Sequence, residues 1–237
     1  MITVKNISKK FGKLKALDNV NLVFKLGECI ALIGPNGSGK TSLIKSILGM
    51  VVPDEGMILF ENRDINKDWK YRSKIGYMPQ IGKYPENMTI GQVINMMKDI
   101  RKATDNCNLD EELIQKFDLH SILNKRMRTL SGGTRQKVSA SLAFLFNADV
   151  LILDEPTAGL DPIASEILKN KILKEKLNGK LVIITSHVLS ELDDVVTHVI
   201  YMQDGKLKMQ KEIATLKLET GENKLSRAIA KIMIQGA

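Results

Sequence analysis

The sequence predicts an α/β fold with a mostly parallel sheet, an N-terminal antiparallel β region and an inserted α-helical subdomain. Three observations carry that prediction. The first third of the chain reads as strand-length runs, several of them alternating apolar and polar residues. Later, the short apolar runs Val150–Leu153 and Leu181–Thr185 flank a helical stretch. That is the pattern of a βαβ unit whose parallel strands are buried on both faces. Between these two regions, from about Pro85 to Phe146, the pattern is helical.

The elements follow in order. Ile2–Ile7 and Val20–Leu26 alternate, as half-buried strands do. Cys29–Ile33 is a short apolar strand, and Gly56–Phe60 and Lys74–Met78 read as two more. A helix starts within the glycine-rich segment that ends at Lys40 and runs to about Leu48. Thr89 is placed to cap the helix that follows it. Gly132-Gly133 opens an amphipathic helix containing Val138, Leu142, Leu145 and Phe146. The helix of the βαβ unit covers about Pro162–Leu177. Val199–Gln203, Asp204-Gly205 and Lys206–Met209 read as a hairpin with a tight turn. A short helix from about Lys211 and a surface helix over Asn223–Ile234 complete the chain. The expected organisation is a core of residues 1–84 and 147–217, a helical subdomain of 85–146 and a helical tail of 218–237.

Composition narrows the function classes. A chain of 237 residues suffices for one sizeable domain, or one core with a smaller lobe. No stretch approaches the roughly 18–20 uninterrupted apolar residues that cross a bilayer. The N-terminus has no basic segment followed by an apolar one, so a secretory signal is not expected and a cytoplasmic location is. Cys29 and Cys107 suit a reducing compartment and form no Cys/His cluster. Cys29, within an apolar strand pattern, reads as a buried structural residue. The net charge of +8 is compatible with nucleic acid, an anionic membrane face or a polyanionic ligand. Lysine and arginine are spread along the chain, with mild clusters at Lys67–Lys74 and Arg126–Arg128. A solvated basic surface is the favoured reading, and no nucleic-acid partner is expected.

The segment Gly34-Pro35-Asn36-Gly37-Ser38-Gly39-Lys40-Thr41 has the spacing of a phosphate-binding P-loop, and it lies between a strand and a helix. Glycines let successive N–H groups turn inward, and a helix N-terminus adds partial positive charge where phosphate sits. Lys40 is expected to reach the β- and γ-phosphates, and the Thr41 hydroxyl to ligate Mg²⁺. The plain alternative, a glycine-rich turn before a helix, is disfavoured by this context.

Val150–Leu153 ends in two carboxylates, Asp154 and Glu155. Ligands of parallel α/β sheets sit at the carboxyl ends of strands. Asp154 is therefore expected to hold Mg²⁺ through water, and Glu155 to orient and polarise an attacking water. A kinase would also carry such an acid, so this pair alone names no reaction.

The decisive segment is Leu130-Ser131-Gly132-Gly133-Thr134-Arg135-Gln136, about twenty residues before the acidic strand. It resembles the Leu-Ser-Gly-Gly-x-x-Gln signature of ATP-binding cassette (ABC) ATPases, and the resemblance covers about Met1 to Leu216. It implies a P-loop NTPase core and two ATP molecules sandwiched in a head-to-tail dimer. Ser131, Gly132, Gly133 and Gln136 would then serve the nucleotide held by the partner's P-loop. Gln80, in Gly76-Tyr77-Met78-Pro79-Gln80, resembles the family glutamine that touches magnesium and the attacking water. Asp161, in Ala158-Gly159-Leu160-Asp161, resembles the segment that crosses the dimer interface. His187 resembles the switch histidine on the γ-phosphate, whereas His120 and His198 read as structural. Phe11 stands where the family stacks an aromatic ring, more often Tyr, on adenine. Lys137 begins a second departure, a run where the family frequently has arginine, expected to change helix surface chemistry and not catalysis.

The resemblance implies an ATPase motor that drives a separate transmembrane permease from the cytoplasmic face of the inner membrane, with ATP and Mg²⁺. The stretches Gly159–Glu166 and Ser186–Leu192, and the tail from Lys211 to Met233, resemble NosF-type motors. Those support copper or sulfur supply to nitrous oxide reductase alongside a periplasmic accessory protein. The competing readings are a soluble ABC ATPase acting on DNA or ribosomes and a P-loop kinase. The first lacks the coiled-coil insertions or second cassette of such members, and the second is opposed by the signature segment and Gln80.

Overall fold

The structure is a computed structural model that describes residues 1–102, 109–186 and 193–235. Along the chain come β1 (Ile2–Phe11), β2 (Leu14–Phe24), β3 (Cys29–Ile33), α1 (Lys40–Ile47), β4 (Glu55–Phe60) and β5 (Arg63–Asp64). Then follow β6 (Ile75–Met78), α2 (Ile90–Lys102), α3 (Glu112–Lys116), α4 (Gly132–Phe144), β7 (Val150–Asp154) and α5 (Pro162–Leu177). The last elements are β8 (Leu181–Thr185), β9 (His198–Gln203), β10 (Lys206–Glu212), α6 (Ile213–Thr220) and α7 (Leu225–Gln235). The described chain divides into two compact units, Met1–Tyr71 with Ile183–Ala237, and Arg72–Val182.

In the first unit an antiparallel sheet has the order β2-β1-β4-β5. Strands β1 and β2 are longer than their apolar alternation predicts. They pair from Ile2↔Phe24 to Phe11↔Leu14 and close on Gly12-Lys13. Gly12 has φ 58, the left-handed geometry a two-residue hairpin loop requires, so the ladder runs on through lysine-rich sequence that has no apolar signal. Strand β5 has two residues and escaped the pattern for the same reason. Strand β3 is buried at all five positions and pairs parallel with β9, from Ile30↔His198 to Ile33↔Tyr201. The predicted hairpin is present: β9 and β10 pair antiparallel around Asp204 and Gly205, both at positive φ. His198 Nδ1 lies 2.9 Å from Thr197 Oγ1, which in turn bonds both the N–H and the C=O of Cys29.

The C-terminal helix is not a free surface helix. Leu225, Ala228 and Ile229 of α7 are buried, as are Ile213 and Leu216 of α6, and the Leu225 N–H donates to Asp193 Oδ1 at 2.8 Å. Apolar residues three and four apart form one stripe, and that stripe is covered.

In the second unit β6 and β7 pair parallel, from Ile75↔Val150 to Met78↔Leu153. A Cβ on Gly76 would stand 2.1 Å from the Ala143 carbonyl, so β6 and α4 approach more closely than a side chain allows. Helix α2 begins as predicted. Thr89 Oγ1 accepts from the Gln92 N–H and Gln92 Oε1 accepts from the Thr89 N–H, a reciprocal capping box. Among the described residues between β6 and β7, the helical pattern predicted there is broken into α2, the five-residue α3, two short 3-10 turns and α4. Within α5, Lys171 is 1% exposed and bonds Asp110, Glu112 (2.9 Å) and Glu175 (2.8 Å). Among the described residues no helix is long and apolar enough to cross a membrane.

Candidate active site

The phosphate loop belongs to the first unit. It leaves β3 at Gly34, whose Cβ, if present, would lie 2.1 Å from the Met202 carbonyl and 2.7 Å from Ser38 Oγ. Gly39 caps α1 at φ 102, and a Cβ there would lie 2.5 Å from the Ala16 carbonyl. Glycine is thus required twice over, by backbone angle and by space. Lys40 is nearly buried, and its ammonium donates to the carbonyls of Gly34 (2.7 Å) and Pro35 (3.0 Å). This holds a cation inside the curl of the loop. Pro35, Asn36 and Gly37 are exposed at its rim, and Thr41 is exposed on the first turn of α1. A loop with an inward ammonium at a helix N-terminus is chemically fit for a polyphosphate. Phe11 sits at the end of β1, 49% exposed and thus outside the core, with Lys9 Nζ 5.6 Å from its ring centroid.

The carboxylates belong to the second unit. Asp154 ends the buried strand β7 and is itself 8% exposed. Burial and, after it, the Asp154 charge push the Tyr77 hydroxyl up to about 12. Glu155 follows in the left-handed region, φ 50. For a residue with a Cβ that conformation costs about 1–2 kcal/mol, so neighbouring contacts must hold it. Its carboxylate accepts from Gln80 Nε2 at 3.1 Å, and its carbonyl accepts from the Ala158 N–H at 3.1 Å and from Gln136 Nε2 at 3.3 Å.

Helix α4 starts at the signature segment. Ser131 is its N-cap: Oγ accepts from the Thr134 N–H at 3.2 Å and pairs with Thr134 Oγ1 at 2.9 Å. Gly132 is exposed, and a Cβ on Gly133 would lie 2.8 Å from the Gly159 carbonyl. One turn on, Gln136 is buried and Lys137 Nζ lies 2.8 Å from Asp161 Oδ2. Asp161 also caps α5 by accepting from the Ala164 N–H at 2.8 Å. Its carboxyl is held below the usual range, chiefly by the Lys137 bond and then by the Ala164 N–H.

Of the predicted residues, the second unit brings together Gln80, Asp154, Glu155, the Ser131–Gly133 segment, Gln136 and Asp161; the first holds Phe11 and Gly34–Thr41. His187 lies outside the described residues. Sequence reasoning gave Lys137 only a surface role and Gly159 only a place in the segment expected to cross the dimer interface. They lie 24 and 26 residues from the groups they meet, Asp161 and Gly133, and no local spacing signals either contact.

Comparison with known proteins agrees with this geometry. The ABC transporter family profile matches residues 17–158. The chain is 30% identical to the ABC transporter ATP-binding protein YhaQ of Bacillus subtilis, over 95% of this chain and 76% of that one. It is 31% identical to the lantibiotic transport ATP-binding protein SrtF of Streptococcus pyogenes, over 90% and 91%. An ATP-binding subunit of an ABC transporter superposes with TM-score 0.88 at 25% identity, covering 98% of this chain and 99% of that one. The dimeric bacterial cassette MJ0796 does so with TM-score 0.78 at 26% identity, covering 90% and 99%. MJ0796 is also known in a post-hydrolysis state with ADP and Pi. The chain belongs to the ABC transporter family, as an ATP-binding subunit with the P-loop NTPase fold. It is an ATPase.

Proposed function

We propose that two copies of this chain close head to tail around two ATP molecules and drive a separate transmembrane permease. The observation that carries the reading is that one chain contains every part of two half-sites. These are the Gly34–Thr41 loop with its inward ammonium, the Glu155 turn, and a Ser131-capped helix start. Two copies related by a twofold axis therefore suffice for two sites. The dimeric MJ0796 cassette and the transport role in the name of SrtF support the same reading.

In this reading Gly34, Pro35, Asn36, Gly37, Ser38 and Gly39 wrap the phosphates with backbone N–H groups, Lys40 neutralises the β- and γ-phosphates, and Phe11 stacks on adenine. Ser131, Gly132 and Gly133 of the partner copy reach the γ-phosphate, and Asp161 lies at the dimer face. Glu155 orients and polarises the attacking water, with His187 on the γ-phosphate. Magnesium, a hard cation that selects oxygen donors, would be held by Thr41, Gln80 and, through water, Asp154, and would neutralise charge on the phosphates. The hydroxyl, amide and carboxylate oxygens at those positions fit that ion. Residues 85–146 form the lobe that grips the permease, on a core of 1–84 and 147–217 with a tail of 218–237. The site of action is the cytoplasmic face of the inner membrane. The permease system is of the NosF type, with a periplasmic accessory protein and copper or sulfur supply to nitrous oxide reductase as its purpose. The stretches Gly159–Glu166 and Lys211–Met233 support that assignment.

The test is Glu155→Gln, tagged and expressed in the native host, with membranes solubilised in ATP and Mg²⁺. The expected result is an ATP-loaded chain that copurifies with a polytopic membrane protein in stoichiometric yield. Genes beside that permease for nitrous oxide reductase maturation would support the NosF assignment, and any other cargo system would remove it. Recovery with ribosomes, DNA or soluble proteins alone would overturn the transport role and leave the ATPase.

A further inference from the structure

Three points of α4 grip the loop between β7 and α5. Gly133 packs against the Gly159 carbonyl, Lys137 pairs with Asp161, and Gln136 reaches the loop's start. The last contact is the most telling. Gln136 is 6% exposed, and its Nε2 donates to the Glu155 carbonyl at 3.3 Å and to the Pro156 carbonyl at 3.5 Å. Glu155 is the loop's non-glycine residue in the left-handed region, and its carbonyl orientation is the quantity that a left-handed turn sets. An amide side chain donating to that carbonyl from a rigid helix holds the peptide plane, and the plane aims the carboxylate.

We infer that Gln136 is a positioning residue for ATP hydrolysis: its buried amide fixes the Glu155–Pro156 backbone and so keeps the Glu155 carboxylate aimed at the attacking water. The inference rests on the proposed role of Glu155. It assigns Gln136 to the glutamate of its own chain, not to the nucleotide of the partner. Because Gln136 sits five residues after Ser131 on one helix, the segment that meets one nucleotide is mechanically joined to the carboxylate that serves the other. A loss of aim of this kind lowers the rate of the chemical step and leaves ATP affinity unchanged.

The experiment compares wild type, Gln136→Met, Glu155→Gln and the double variant in the full chain. It reads ATPase kcat and KM, ATP binding by fluorescent-nucleotide titration, and melting temperature. Methionine has nearly the shape of glutamine but no N–H. The expected result is a kcat lowered about 10–100-fold with KM and ATP affinity within about twofold of wild type. In the Glu155→Gln background the same substitution adds no further loss, because the group it aims is already gone. A raised KM with normal kcat, or a full additional loss in the double variant, would overturn the inference by placing Gln136 on the nucleotide or in an independent step. Should Gln136→Met not fold, Gln136→Asn carries the same test, since it keeps the amide but falls short of the carbonyls. If Glu155→Gln alone retains wild-type kcat, the role of Glu155 fails first, and that outcome is read before any Gln136 variant.

Discussion

The phosphate loop and the carboxylate loop are both short turns at strand ends, yet they are built in different ways. The first is fixed through its backbone: glycines at 34 and 39 take angles and clearances against the Met202 and Ala16 carbonyls that no other residue fits, the Gly205 N–H donates to the Ser38 carbonyl, and Lys40 folds onto carbonyls five and six residues away. The second contains one glycine, Gly159, between Glu155 and Asp161. Besides its own turn bonds, from Ala158 N–H to the Glu155 carbonyl and from Leu160 N–H to the Thr157 carbonyl, it is held by the side chains of Gln80, Gln136 and Lys137, residues 19 to 75 positions distant. A loop held by side chains of other elements moves when those elements move, which suits the role proposed for Glu155.

The largest expected effect breaks the phosphate loop. Lys40→Ala removes the only charged group the loop carries, and ATPase activity should fall about 10²–10³-fold or more, with ATP binding weakened in the same titration. The circular dichroism spectrum should be unchanged, because the glycines that shape the loop remain. A variant that loses its fold instead would show that Lys40 is structural and that the two loops are alike.

A second prediction concerns the support of the carboxylate loop at a distance. Helix α5, capped by Asp161, rests on Lys171 and its three carboxylates. Burial opposes the Lys171 charge, but bonds to Asp110, Glu175 and Glu112 outweigh it and hold the lysine above its ordinary range. Lys171→Met takes the buried ammonium from Asp110, while Glu112 keeps Lys116 and Lys174 and Glu175 keeps Lys180, and should destabilise the fold by about 3 kcal/mol in urea titration. The pH dependence has a definite sign. Bonds from Lys116, Lys174 and Lys171 hold the Glu112 carboxyl far below the usual range. Its contribution is therefore complete above the unfolded value of about 4.3 and is lost as pH falls below it. The acid limb of stability should be shallower in Lys171→Met but still present, because Lys116 and Lys174 remain.

The smallest effect sharpens the comparison most. Lys137→Ala removes an exposed ion pair to Asp161, so melting temperature should barely change. ATPase activity should fall about two- to fivefold, because the far end of the carboxylate loop loses its tie. An unchanged rate would leave Gln136 as the sole side chain of α4 that matters to the loop.

Much of this was legible in the residues alone. The P-loop, the acidic strand end and the signature segment are local patterns in which spacing and chemistry coincide, and β3, α5 and the β9–β10 hairpin follow from apolar runs, a proline start and an Asp-Gly turn. Ladder extensions through lysine-rich sequence, as in β1 and β2, carry no such pattern, because backbone pairing there is continued by the hairpin and not by burial. The contacts of Gln136, Lys137 and Gly133 were equally silent. By itself the sequence determined which chemical groups the protein has and that it binds ATP, since phosphate recognition depends on residues adjacent in the chain. Only the tertiary structure decided what holds Glu155 in its left-handed turn. That is settled by side chains from elements far apart in sequence, and their meeting depends on packing, which no local spacing encodes.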